Sequence, residues 1–150
     1  MGALALSLTT AACGSSYDIS DQPLAGTVGG TAWTYAEGDT NDFLSQDDDY
    51  FATLYPESFD ECGFGSPSGV NHLILSIPKE TGEWDLGLSL NMTFVISDGA
   101  NTSDNLIGTR GTIRVDSVSD TTITGGIYAE FDGDNQIDGT FSVSICPPSS

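Results

Sequence analysis

The chain has 150 residues, enough for one domain whose core needs neither a metal nor several disulfides. Its 22 acidic residues face only 3 basic ones, a formal net charge of −19, and the first basic residue is Lys79. That balance excludes nucleic acid as a partner, since phosphate has to be neutralised by Lys or Arg, and the same field repels anionic lipid headgroups.

The first segment, Met1 to Ala12, reads MGALALSLTTAA and is uncharged. Its apolar stretch, Ala3 to Leu8, is too short to span a bilayer, which takes about 20 apolar residues. Small residues close it, so residues 1–12 read as the end of a secretory signal peptide. The TTAAC that follows is similar to the lipobox of bacterial lipoproteins. That resemblance implies that Ala11 and Ala12 are the small residues before the cleavage point and that Cys13 carries diacylglycerol as the mature N-terminus. It further implies export and attachment to the bacterial envelope. Gly14, standing where an acidic residue would signal inner-membrane retention, points to the outer membrane or the cell surface.

With Cys13 taken by lipid, Cys62 and Cys146 remain as the natural disulfide pair. Closing their loop of about 85 residues is worth roughly 4–5 kcal/mol in the chain-entropy model. The alternative is three free thiols in a cytosolic protein. Residues 13–22 then form a polar tether reaching at most about 35 Å, and residues 23–150 a single domain.

From Pro23 onward the chain alternates with the two-residue period of half-buried strands. Strands are expected at GTVGGTAWTYAEG, DYFATLYP, VNHLILSIP and TRGTIRVDSVS. The longest run starts at Trp84, with Leu86, Leu88, Leu90, Met92, Phe94 and Ile96 on one face, and predicts one continuous strand to Ser97. Near the end, Ile123, Ile127, Ala129 and Phe131 share one face, and Ile137, Phe141, Val143 and Ile145 another. The turn residues DGDNQ between them predict a hairpin. Strands with one apolar and one polar face suit an antiparallel β-sandwich of about eight strands, with a small β-barrel as the alternative. The whole also loosely resembles small β-sandwich lipoproteins that close on a strand like GTFSVSIC, a likeness that implies no activity.

Chemistry-bearing residues are few. Asp47, Asp48 and Asp49 form the densest acidic cluster, with Asp39 and Asp42 nearby, and packed carboxylates could be relieved by calcium; the competing reading is a solvated acidic loop. Asp132 to Phe141 has calcium-loop character, but its twelfth position counted from Asp134 is Ile145, so a hairpin turn explains it better. Trp33, Tyr35, Tyr50, Tyr55, Trp84 and Tyr128 could offer a sugar platform; for Trp33 and Trp84 core packing is the preferred reading, and Tyr128 is the aromatic expected on a polar face. His72 is the only histidine and falls opposite Leu73, Leu75 and Ile77. No G-x-S-x-G elbow or phosphate-cradling loop occurs.

The sequence therefore reads as a non-enzymatic, lipid-anchored envelope or surface protein with a binding or structural role and no required cofactor. One alternative is a calcium-assisted module binding a carbohydrate or protein. The other is a glycan hydrolase working through paired carboxylates.

Overall fold

Successive side chains of a strand point to opposite faces, so a sequence that alternates apolar and polar residues can bury one side of every strand in a common interior. The computed structural model describes residues 17–99 and 102–148. Every regular element among them is a strand: β1 (Ala25–Val28), β2 (Thr31–Thr34), β3 (Glu37–Thr40), β4 (Asp49–Tyr55), β5 (His72–Pro78), β6 (Gly82–Asp85), β7 (Met92–Ser97), β8 (Ser103–Gly108), β9 (Arg110–Val118), β10 (Thr122–Asp132) and β11 (Asn135–Ser144). The all-β class is as expected. The strand count exceeds the anticipated figure because stretches read as one strand divide into four-residue pieces.

The strands make one sheet in the order β6–β9–β10–β11–β3–β4–β5–β7–β8, with β1 also on β11 and β2 on β1. All pairings between named strands are antiparallel except that of β11 with β3, which rests on Ser144 opposite Asp39. One edge of β11 is covered by β10 along its length. The other edge is used twice, by β1 at Gln136–Asp138 and by β3 at Ser144. At this strand the sheet divides into two arms that curl toward each other as a half-barrel. Across the interior β5 approaches β9, β8 approaches β10, and β1 approaches β7. The core between the arms holds Leu54, Leu73, Phe94, Ile113, Ile127 and Ile137, all fully buried.

The GTVGGTAWTYAEG stretch supplies three strands. Gly29 and Gly30 both adopt positive φ (63° and 71°), as a two-residue turn matching the twist of its strands requires. The chain then changes arms at Tyr35–Ala36, where the Tyr35 N–H bonds Leu24 and the Ala36 N–H bonds Tyr55 on β4. At this end of the molecule Asn71 ties the arms together. Its Nδ2 donates to the Val28 carbonyl and its Oδ1 accepts from the Ser97 N–H, each at 2.9 Å, while its own carbonyl accepts from Trp33 Nε1 at 3.0 Å.

The run from Trp84 to Ser97 is two strands, not one. β6 pairs with β9 in one arm and β7 with β5 and β8 in the other. Between them the Gly87 N–H bonds the Leu90 carbonyl at 2.7 Å, and Asn91 Nδ2 bonds the Leu88 carbonyl at 3.2 Å. Both arms bury their apolar residues in the same core, so the alternation keeps its phase across the break. Leu88 alone reveals it, at 93% exposure.

Residues 17–22, expected as tether, lie as a strap across the outer face of β9, β10 and β11. The Tyr17 N–H donates to Thr112 Oγ1 at 3.2 Å, and its ring stacks on Tyr128 with centroids 4.8 Å apart. The Ser20 N–H donates to Asp138 Oδ1 at 2.9 Å, and the Gln22 carbonyl accepts the Thr140 N–H at 2.8 Å. Ile19 crosses over Gly126, where a Cβ would stand only 2.8 Å from its methyl group.

Candidate functional site

β3 builds the end of the molecule opposite the Gly29–Gly30 turn. Alternation buries Gly38 and Thr40 and leaves Glu37 and Asp39 pointing outward toward the 56–71 loop. Their carboxylates serve as backbone acceptors: Glu37 Oε2 takes the Phe59 N–H at 2.8 Å, and Asp39 Oδ2 takes the Cys62 N–H at 2.7 Å. Thr40 Oγ1 in turn accepts the Cys146 N–H at 3.0 Å. Cys62 and Cys146 are joined as a disulfide with Cα atoms 5.2 Å apart, which staples the loop to the residues after β11. Cys62 is the one non-glycine residue with positive φ among those described, at 60°, a conformation side chains disfavour. The N–H bond to Asp39 and the disulfide hold it there.

This rim is acidic and partly desolvated. Burial pushes the Asp39 carboxyl above its ordinary range and nearby Glu61 raises it further, against the pull of the Cys62 N–H. Burial, followed by the fields of Glu61, Glu37 and Asp39, also raises Tyr35, whose hydroxyl donates to the Ser142 carbonyl. Glu61 accepts a hydrogen bond from the Ser144 hydroxyl. Beside these groups is an open cavity of about 450 Å³ lined by Asp39, Asp42, Phe43, Tyr55, Phe59 and the disulfide. Phe43 and Phe64 stand fully in solvent on the two loops of this rim.

Asp47, Asp48 and Asp49 lie beside a second groove, of about 630 Å³, which also contains Lys79, Glu80 and Trp84. Lys79 stands beside them: its backbone N–H donates to the Asp48 carbonyl at 2.9 Å, and its Nζ donates to the Gln46 carbonyl and sits 5.0 Å from the centre of the Tyr50 ring. Burial and the neighbouring Asp48 raise the Asp49 carboxyl, and Lys79 opposes them. The three carboxylates do not converge. Among the described residues the only group of three or more acidic, cysteine or histidine side chains with ligand atoms within 4.8 Å of one another is Asp39, Cys62 and Cys146, whose sulfurs are bonded to each other.

The structure separates the remaining candidates. Asp132 Oδ1 accepts the Asp134 N–H and Asn135 Nδ2, while Asn135 Oδ1 accepts the Gly29 N–H, so the DGDN segment stitches two hairpin turns together. Trp33 is buried and Trp84 packs against the core. His72 rests against Tyr55 with ring centroids 5.0 Å apart, and its Nδ1 lies 3.0 Å from the Val70 carbonyl. Tyr128 is on the outer face as expected but is covered by Tyr17, and its hydroxyl donates to Glu130. Cys13 lies outside the described residues. Sequence reading missed the role of Glu37 and Asp39; the signal available to it was two acids on alternate positions of a strand upstream of the CGFG loop.

Comparison of the chain with known protein families, curated proteins and solved structures finds no match.

Proposed function

We propose that this chain is an exported protein of the bacterial envelope, anchored by a lipid on Cys13, with a binding or structural role in place of catalysis. One observation carries the reading: the Cys62–Cys146 disulfide uses two of the three cysteines and leaves Cys13, inside TTAAC, as the odd one. A disulfide also suits an oxidising compartment. Any glycan or protein ligand would meet the disulfide rim, where loops held by carboxylates and a covalent staple present Phe43 and Phe64 to solvent.

The test is mass spectrometry of protein extracted from membranes of a bacterial host carrying the gene. The expected mature chain starts at a diacylated Cys13, and Cys13→Ser shifts the protein to the soluble fraction. A chain with an intact Met1 and an unmodified Cys13 rejects the reading.

A further inference from the structure

The strap fixes where an anchored chain leaves the domain. We propose, resting on the lipid reading of Cys13, that the outer face of β9 and β10 lies against the lipid surface, with Arg110 and Arg114 nearest the headgroups. Only three residues separate Cys13 from Tyr17, and the four steps between them reach at most about 14 Å fully extended. A body of this size is roughly 35 Å across, so so short a lead cannot carry the anchor round to the opposite arm. Tyr17 is pinned to Thr112 and Tyr128, and the membrane therefore meets the body on the strap side.

The arginines lie on the same face. The chain has 3 basic residues, and both arginines are on β9, flanking Thr112 at the point where the strap lands. Arg110 Nη2 bonds Glu130 at 3.1 Å and the Phe131 carbonyl at 2.9 Å; Arg114 Nε bonds Asp116 at 2.7 Å. Two carboxylates of this face are thereby offset, while Asp21, Glu83 and Asp138 also stand near the strap. The other arm and its loops carry Glu37, Asp39, Asp42, Asp47–Asp49, Glu57, Asp60, Glu61, Glu80, Asp98 and Asp104, with Lys79 as their one lysine and no arginine. The arginine guanidiniums are the groups of this face that headgroup phosphates can engage, even though the chain as a whole is acidic. Tyr17 and Tyr128 stacked beside the arginines add the aromatic character favoured at a membrane interface.

The experiment uses the full chain without its first twelve residues. The disulfide leaves Cys13 as the sole thiol, so a maleimide phospholipid couples there and places the protein on phosphatidylethanolamine–phosphatidylglycerol vesicles. A fluorescent amino acid is introduced at Thr124, on the outer face of β10, or at Ser76, on the outer face of β5. Headgroup spin-labelled lipid should quench the Thr124 probe several-fold more than the Ser76 probe. Arg110→Glu with Arg114→Glu should shrink that ratio. Equal quenching at the two positions, or stronger quenching at Ser76, overturns the orientation. Because the lipid is attached chemically, this outcome is independent of whether cells acylate Cys13, which mass spectrometry decides.

Discussion

Asp39 shows how much of this protein's acidity is structural. Its carboxylate holds Cys62 in a left-handed conformation, yet burial and Glu61 make its ionised form costly. Its carboxyl is raised in the fold, so on acidification the folded protein takes up this proton before the unfolded chain does. Ionised Asp39 is therefore a liability at neutral pH, lifted as pH falls through the raised value toward the ordinary carboxylate pKa of about 3.9. Asp39→Asn keeps an oxygen acceptor for Cys62 and removes the charge. Its thermal midpoint at neutral pH should equal or exceed that of the parent, and the gain of the parent on mild acidification should be smaller in the variant. A scan of midpoint against pH reads both; a large loss at neutral pH would show that the carboxylate charge itself is required. Asn71 is the second residue of this kind. Asn71→Ala removes two side-chain bonds, one to Val28 across the arms and one to Ser97 within its own arm, and should cost about 2 kcal/mol in chemical denaturation.

At the level of elements, the β4, β5, β9, β10 and β11 segments were legible in the sequence because each is a single alternating run ended by turn residues. The Trp84–Ser97 run misled for a physical reason: two short strands facing a common core from opposite arms share the phase of one long strand. Gly87, a residue that weakens a strand interior, was the one hint of the break. The strap was illegible, since Tyr17 and Ile19 are isolated apolar residues in a polar stretch and their docking site comes from three distant strands. The disulfide was readable from cysteine arithmetic, whereas the acids that position it are indistinguishable in sequence from the other acids of the chain. Gly126→Val tests the strap as a unit. Its added side chain occupies the space of Ile19, so proteolysis within residues 17–22 should accelerate while the far-ultraviolet spectrum is retained. Unchanged cleavage would mean that Ile19 relocates without releasing the strap.

For the molecule as a whole, the two arms are held by the shared core, by Asn71 at one end and by the disulfide at the other. Replacing both cysteines, Cys62→Ser with Cys146→Ser, should lower unfolding free energy by about 4–5 kcal/mol if the crosslink acts by restricting the unfolded chain. The N–H groups at positions 62 and 146, donating to the Asp39 carboxylate and the Thr40 hydroxyl, should still preserve the native strand pairing, as read by hydrogen exchange. The double duty of β11 has a further consequence, for the order of events in the cell. β1 and β3 both find their central neighbour in the strand that a ribosome makes last of all eleven. Until that strand arrives the sheet is in separate pieces, because β10 and β3 are neighbours only through β11.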